Sequence, residues 1–551
     1  MKTNKTDRTF RKNYGRLGSY LGAYTIKTSG GPFVWPNAEH DQSQRERIVT
    51  SILVSLSISV VAFLSVAHGT FFDDEIFSIE HITVTRSYVD MIKVFSTHDL
   101  HPAGSYVIFR GMFELLGSWS SVKDAMGLLN GAALGVCVWQ AYPKLGASTR
   151  RLFAAAVATS GTIVLNGDCL RWYALFDPIF FVTLTYVIFS DCRPHIKITL
   201  CVISCVVLLY LSYLAFIATV VLGVVLLCRH YDELTRRDVK VAIIVGVVGI
   251  CACIPQIYCL VAFHLSNAID FPQRPAWSLL NVLMTFVIGQ SVFPLHYAVI
   301  VYVPLLAGTG MYYALYEKKG RLDVILIVAL SVGALLLSMT GLGGIDRRTA
   351  IFLYPFALLL TVLAVVGLPR YARQVSMCAV MLFQLVGVWN IIWHIDTVKS
   401  SFNTDYATAL KFILENQANC NGRLIVFDRD PVMTYLLEET KISVSSPLSR
   451  IRTSTDMRSG DCVIQVKSNP GNFSQEELKT FDEATASNKL SVVGGRQIGR
   501  DPFYKFKHSE MGVPFNEYYL DVIVFSVTDN WHGPELLEVM PGYSENFDDG
   551  F

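Results

Sequence analysis

Long apolar segments dominate this chain, and most of them are long enough to cross a bilayer as a helix. Hydrophobic residues make up 52% of the 551 residues and are concentrated in blocks. A spanning helix needs roughly 20 consecutive, mainly apolar residues. There are about eleven segments that meet or approach this length, at 49–69, 124–142, 151–166, 173–190, 197–211, 213–228, 240–263, 295–316, 322–340, 350–368 and 374–394. The sequence therefore predicts an α-helical polytopic membrane protein.

The positions of the basic residues predict the orientation of these helices. Lysine and arginine collect in alternate connections, at 144–151, 193–197, 229–240, 318–321 and 370–373. Loops rich in Lys and Arg stay in the cytoplasm, so we predict a cytoplasmic N-terminal segment, 1–48. An odd number of spans then places the first loop, 70–123, and residues 396–551 on the outer side. The membrane is the bacterial inner membrane or, in a eukaryote, the endoplasmic reticulum.

The residues outside the spans are organised in two regions. In the first outer loop, apolar residues recur at helical spacing over 88–95 and 106–116, which predicts two helices in the membrane interface. A further interfacial or re-entrant helix is plausible over 279–293. The membrane domain is 49–395. From 396 to 551 the composition becomes that of a soluble chain, and "TDYATALKFILENQ", "GRLIVFD", "DPVMTYLLEE", "DCVIQVK", "FYKFK" and "YLDVIVFSV" alternate as helices and strands of a small α/β domain.

The cysteines and the net charge indicate where a disulfide could form and which class of partner is not expected. Most of the cysteines lie in apolar segments, where Cys packs as a small hydrophobe. Cys420 and Cys462 lie in the polar C-terminal region and could form a disulfide in an oxidising compartment. The formal net charge of +1 gives no reason to expect a nucleic-acid partner.

Charged residues at the predicted outer ends of the spans are the candidates for chemistry. Charges near a membrane must offset their desolvation, which makes those that topology does not explain functional candidates. They are Asp73, Asp74 and Glu75 after the first span, His98, Asp99 and His101 in "HDLHP", Arg171 and Tyr173 in "GDCLRWY", and Arg347 and Arg348 in "GIDRRTAIFLYP". The acidic triplet can be read as a solvated helix end. Together with arginines on the same side, it also suits a base that deprotonates a nucleophile while cations hold a phosphate leaving group.

The order of these motifs resembles that of the GT-C glycosyltransferases. The similarity covers residues 50 to about 395 and is greatest to the group containing protein O-mannosyltransferases and lipid A aminoarabinose transferases. That group has an Asp-Glu pair after the first span, an Asp-x-His-Pro-Pro motif, an Arg-x-Tyr opening of the fourth span and a late arginine before a proline. The chain departs from the pattern at Ala103, which replaces the second proline, and at Lys123, which replaces an arginine before the second span.

The resemblance implies transfer of a sugar from a polyprenyl-phosphate donor to a lipid, glycan or protein acceptor on the outer face. It makes Asp74 the general base and Glu75 its neighbour in the pair, and it leaves the role of Asp73 open. The donor phosphate would be bound by Arg171 and by Arg347 or Arg348, because guanidinium groups match phosphate oxygens bidentately. Asp99, His101 and Tyr173 complete the implied substrate site. No metal is obligatory, although a divalent cation at the histidines stays an alternative.

Two other classes of function remain in view. A transporter or flippase for a lipid-linked or polar solute would place ionisable residues within its spans, whereas here the charges gather mainly at one face. A receptor or assembly scaffold would leave Asp74 without a role.

Overall fold

The computed structural model describes much of the membrane part of the chain and the central sheet of its C-terminal part. The described residues are 44–68, 73–85, 87–98, 101–167, 169–230, 233–266, 282, 286, 321–339, 350–392, 406–417, 421–422, 424–428, 433, 436, 456–469, 475–498 and 519–532. In chain order the helices are α1 Gln44–His68, α2 Asp73–Val84, α3 Tyr88–His98, α4 Gly104–Leu116, α5 Trp119–Ala141, α6 Ala147–Ala158, α7 Gly161–Gly167, α8 Trp172–Phe189, α9 Pro194–Leu211, α10 Ala215–His230, α11 Arg236–Ser266, α12 Arg321–Met339, α13 Tyr354–Gly367, α14 Arg370–Ile392, α15 Tyr406–Gln417 and α16 Gln475–Ala486.

The chain is an integral membrane protein that is mostly helical. Within the described residues, five helices are long and apolar enough to cross a membrane, namely α1, α8, α9, α11 and α14. The predicted break near residue 212 is confirmed, since α9 ends at Leu211 and α10 begins at Ala215. The segment 151–166, predicted as one helix, is divided into α6 and α7. The predicted total of about eleven spans stays a prediction, because the segment 295–316 lies outside the described residues.

Helices α1 and α5 pack closely because glycine and serine face each other between them. A Cβ at Gly135 would lie 2.9 Å from the backbone oxygen of Ser51, and one at Gly131 would overlap the Ser59 hydroxyl. Small residues at this spacing let two helix backbones approach each other inside a membrane. The side of α5 that bears these glycines is therefore fixed against α1.

Three helices, α2, α3 and α4, form the first loop at the end of the bundle that the charge pattern predicts to be outer. Helices α3 and α4 confirm the two predicted helices, whereas α2 is an additional helix that begins at the acidic triplet. Exposed apolar side chains such as Val89 on α3 and Leu115 on α4 are typical of helices that lie in the membrane interface.

Polar contacts join α3 to α4. The hydroxyl of Tyr88 donates to Glu114 Oε2 at 2.7 Å, and Arg110 Nε donates to Glu114 Oε1 at 3.0 Å. These two hydrogen bonds lower the pKa of the Glu114 carboxyl, the bond from Tyr88 contributing most. The two interfacial helices are thus joined at an exposed edge.

The C-terminal part contains a four-stranded mixed sheet. Its strands are β1 Leu424–Asp428, β3 Cys462–Asn469, β4 Leu490–Ile498 and β5 Tyr519–Val527, in the order β1-β3-β5-β4, and β2 Asp456–Met457 pairs separately with β6 Trp531–His532. Strand β1 is parallel to β3, and the other neighbours in the larger sheet are antiparallel. The structure confirms the predicted small α/β region. Its boundary at 396, the predicted helix "DPVMTYLLEE" apart from Met433 and Leu436, and the predicted strand "FYKFK" lie outside the described residues.

The sheet has two apolar faces that belong to different cores. One face packs against α16 around Phe481. The other face, together with α15, belongs to one continuous apolar cluster with α2, α3 and α4. The sheet is thereby joined to the helices of the first loop. Cys462 at the start of β3 is disulfide-bonded, while Cys420, its predicted partner, lies outside the described residues.

Candidate active site

Glu75 is the centre of the polar contacts at the start of α2. It is fully buried, and Lys123 Nζ on α5 lies 3.1 Å from its Oε2. Its Oε1 accepts a hydrogen bond from the backbone N–H of Leu170 at 2.9 Å. Both carboxylate oxygens are therefore engaged by different parts of the chain. Glu75 fixes the start of α2 against α5 and against the segment that precedes α8.

The acidic triplet occupies the first turn of α2, since the helix begins at Asp73. Negative side chains are stabilised at a helix N-terminus by the unpaired N–H groups there. Asp73 and Asp74 directly precede Glu75, so the contacts of Glu75 also fix the backbone that carries them. The side chains of Asp73 and Asp74 lie outside the described residues.

Arg171 lies immediately before α8, in extended backbone with φ −134° and ψ 161°. Its side chain is 9% exposed, and Nη1 donates to Ser78 Oγ at 3.2 Å and to the Tyr106 hydroxyl at 3.3 Å. Ser78 is three residues after Glu75, hence on the same face of α2. One face of α2 thus contacts Arg171 and the segment before it.

Aromatic rings build the rest of this region. Tyr106 of α4 stacks on Phe95 of α3 with ring centroids 3.7 Å apart. The ring of His101 lies 5.9 Å from that of Trp172 at the start of α8. Tyr173 is buried in the main helical core with its ring edge against Trp172, at 5.4 Å. His101 and Arg171 therefore flank the same end of α8.

Several predicted site residues lie outside the described residues, namely Asp99, Arg347, Arg348 and the side chain of His98. Their predicted roles in binding the donor stay predictions. The structure brings together Glu75, Arg171, Tyr173 and His101 around the start of α8 and the N-terminus of α2. Among the described residues there is no group of three or more His, Cys, Asp and Glu side chains placed to hold a metal ion.

No protein-family model matches the chain, and no curated protein matches it. Among solved structures, the chain is similar to ArnT from Cupriavidus metallidurans in the apo state, with 11% identity, a TM-score of 0.48, and coverage of 87% of this chain and 98% of that one. It is also similar to the same ArnT bound to undecaprenyl phosphate, with 11% identity, a TM-score of 0.43, and coverage of 88% and 98%. Arabinofuranosyltransferase AftD from Mycobacteria has 14% identity and a TM-score of 0.40, and the match covers 90% of this chain and 40% of AftD.

The structure adds site residues that no sequence motif indicates. By sequence, Lys123 is only a replacement for an arginine of the family pattern, whereas the structure makes it the buried partner of Glu75. Ser78 and Tyr106 contact Arg171 although neither lies in a predicted motif. The signal that could have found Ser78 is its helical spacing from Glu75, which becomes meaningful only once α2 is known to be a helix.

Proposed function

We propose that this protein is an inverting glycosyltransferase of the GT-C type, which moves a sugar from a polyprenyl-phosphate donor to an acceptor at the predicted outer face. The donor lipid is undecaprenyl phosphate in a bacterium or dolichyl phosphate in a eukaryote. The acceptor is a lipid, a glycan or a protein. Membrane lipids surround the spans, and no nucleic acid takes part.

The observation that carries this proposal is the buried contact of Glu75 with Lys123 and Leu170. It ties the acidic first turn of α2 to the residue that precedes Arg171. The helix turn that carries Asp74 and the guanidinium group of Arg171 therefore lie at the same end of the membrane helices. Transfer from a lipid phosphate needs this combination, since one group must accept a proton while another stabilises the departing phosphate.

The proposed reaction is a single displacement. The carboxylate of Asp74 takes the proton of an acceptor hydroxyl, and the acceptor oxygen bonds to the anomeric carbon. The bond from that carbon to the phosphate oxygen breaks, and its electron pair leaves with the polyprenyl phosphate. Arg171, with Arg347 or Arg348, stabilises the phosphate charge, while Asp99, His101 and Tyr173 contact the donor. Because cationic side chains serve the leaving group, the reaction requires no obligatory metal.

One observation favours the alternative of a transporter or flippase. Asp177 in α8 is fully buried, and within the described part of the chain neither of its carboxylate oxygens has a hydrogen-bond partner. Ionisable groups inside a span often mark the path of a substrate or proton. The two functions therefore assign the essential carboxylate to different residues, Asp74 for transfer and Asp177 for transport.

The test is an Asp74→Asn substitution in the full-length protein, reconstituted in nanodiscs. The variant is supplied with a panel of polyprenyl-phosphate sugars and with an envelope extract as the source of acceptor. Release of polyprenyl phosphate, followed by mass spectrometry, should fall by about 10²- to 10⁴-fold, because a general base contributes that much. Binding of undecaprenyl phosphate should be retained.

Asp73→Asn is the matched control, since it removes a carboxylate one position earlier and should leave release nearly unchanged. Loss of release in Asp73→Asn alone would move the base to Asp73. Full release in both variants would refute a catalytic role for the cluster. Lipid translocation in proteoliposomes that depends on Asp177 and not on Asp74 would favour the transporter.

A further inference from the structure

Pro178 lies inside α8 and removes one of its helical hydrogen bonds. A proline has no N–H, so the carbonyl four residues earlier loses its helical donor, and the ring also pushes against that carbonyl. In α8 this carbonyl belongs to Ala174, within the first turn after Arg171. A buried carbonyl without a donor is costly, particularly where no water replaces it.

Asn130 of α5 supplies the missing donor from outside the helix. Its Nδ2 lies 2.9 Å from the Ala174 oxygen, 3.2 Å from the Gly167 oxygen at the end of α7, and 3.0 Å from the Met126 oxygen in its own helix. The side chain is buried, with 2% exposure. Since three carbonyl oxygens surround this atom, it is the nitrogen of the Asn130 amide and not its oxygen that lies there.

Gly167 is packed directly against this amide. A Cβ at Gly167 would lie 2.8 Å from Asn130 Cγ and 3.1 Å from Nδ2. Any side chain at this position would displace Asn130 from the carbonyl that it contacts. The backbone at the end of α7 therefore packs directly on the Asn130 amide, and only glycine at position 167 leaves room for it.

The two carbonyls outside α5 that Asn130 contacts, those of Gly167 and Ala174, lie on either side of a segment that forms part of the candidate site. Between Gly167 and Ala174 lie Leu170, whose N–H contacts Glu75, and Arg171. Lys123 and Asn130 are seven residues apart on α5, which places them on one face of the helix, two turns apart. Lys123 contacts Glu75, and Asn130 contacts both ends of the segment.

We propose that Asn130 is a positioning residue, which replaces the hydrogen bond removed by Pro178 and thereby holds residues 169–173 in contact with Glu75 and the rest of α2. Its importance for donor binding rests on the proposed function, whereas its effect on the segment does not. The proposal requires the effects of Asn130 and Pro178 to depend on each other. With an alanine at 178, a backbone N–H becomes available to Ala174, and part of the need for Asn130 disappears.

A native thiol within the segment gives a readout that needs no ligand. Cys169 is a reduced cysteine with 3% exposure, so N-ethylmaleimide reaches it only when the segment opens. In the full-length protein in nanodiscs, Asn130→Ala should raise the labelling rate of the Cys169 peptide by about tenfold, the effect of losing one buried hydrogen bond. In a Pro178→Ala background the same substitution should raise the rate by a clearly smaller factor.

Cys192, half-buried in the connection between α8 and α9 and outside the spans, serves as the internal reference for labelling. Gly135→Ala is the matched control, because it disturbs α5 against α1 without touching the segment, and it should lower thermal stability while leaving the Cys169 rate unchanged. If the Asn130→Ala protein does not accumulate, Gly167→Ala is used in its place, because its added methyl group displaces the same amide. An unchanged Cys169 rate in the substituted protein, or an equal increase in both backgrounds, would overturn the proposal.

A second measurement separates this proposal from the proposed function. Affinity for undecaprenyl phosphate should fall by about tenfold in Asn130→Ala and less in the double variant, if Arg171 binds the carrier phosphate. Failure of the unsubstituted protein to bind this lipid counts against the proposed donor. The labelling rates then decide the role of Asn130 without reference to the donor.

Discussion

Among the lysine ion pairs of the described residues, the pair of Glu75 and Lys123 is the most buried. Its side chains are 0% and 9% exposed, at an N–O distance of 3.1 Å. The pair of Lys144 and Asp191 is shorter, at 2.6 Å, but its side chains are 27% and 74% exposed. Water screens an exposed pair, whereas removal of one member of a buried pair leaves an uncompensated charge. We therefore expect the more buried pair, and not the shorter one, to contribute more to the stability of the protein.

At the level of single residues, we expect Glu75→Gln to destabilise the protein by about 3–5 kcal/mol, because Lys123 then loses its charged partner. Asp191→Asn should cost no more than about 1 kcal/mol. Thermal unfolding of both variants in the same nanodiscs checks the difference. A double variant, Glu75→Gln with Lys123→Met, should recover much of the loss. Equal losses in the two single variants would contradict the ranking by burial.

At the level of elements, α4 approaches α9 at a point where only glycine fits. A Cβ at Gly104, the first residue of α4, would overlap the backbone oxygen of Tyr210 near the end of α9. A carbonyl in a helix cannot turn away as a flexible side chain can. The contact of α4 with α9 therefore fixes the position of Tyr106, which follows Gly104 by two residues and accepts a hydrogen bond from Arg171.

We expect Gly104→Ala to move α4 and to weaken the contact between Tyr106 and Arg171. The matched control is Gly111→Ala in the same helix, where a Cβ would meet the Tyr88 hydroxyl at an ordinary 3.6 Å. Gly104→Ala should lower the unfolding temperature by several degrees, with a loss of affinity for undecaprenyl phosphate. Gly111→Ala should be neutral or stabilising, since alanine favours a helix more than glycine does. The same response from both variants would argue against the close approach.

Long elements of this fold could be predicted from the sequence, and short ones could not. Helices α1, α5 and α8 have long apolar segments that predict them directly. Helix α2 is short, and its buried Ile76, Ile79 and Ile82 follow an acidic start that resembles a loop. Strand β4 contains Gly494 and Gly495 with an irregular register, and glycines are depleted in strands. The local sequence pattern predicts an element poorly where contacts with distant residues determine its structure.

The break between α6 and α7 has a local cause that the number of apolar residues in 151–166 does not reveal. Residues 159–161 are Thr, Ser and Gly, which compete with helical hydrogen bonding or disfavour the helix. The hydroxyl of Ser160 also accepts a hydrogen bond from Tyr354 of α13. The turn before α7 is thus stabilised by a contact between residues 194 positions apart, which the sequence alone could not predict.

The candidate site could be predicted in its residue types but not in its pairings. The acidic triplet and Arg171 are identified by their charge beside apolar segments. Lys123 and Asn130 act on partners that are 37 to 48 residues away along the chain. Such partners become neighbours only when α2, α5 and α8 pack together. For this reason Asn130 has no signal in the sequence beyond being a polar residue in an apolar segment.

At the level of the whole molecule, the C-terminal sheet and the helices of the first loop share a core. Ile464 of β3 lies in the apolar cluster that also contains Ile76 of α2 and Leu170. Val463, its neighbour in β3, lies in the cluster on the opposite face with Phe481 of α16. Both side chains are fully buried. Alternation along one strand therefore directs two adjacent residues into different cores.

This arrangement predicts that the two faces of the sheet have different effects on the candidate site. Ile464→Ala should destabilise the protein by about 2–5 kcal/mol and should increase amide hydrogen exchange in the peptide covering α2, since its cavity opens in the cluster that includes α2. Val463→Ala should increase exchange in α16 and leave α2 protected. Hydrogen-exchange mass spectrometry of the two full-length variants makes the comparison. If α2 responded equally to both substitutions, the sheet would influence the site through its overall stability, and the shared core would have no specific role.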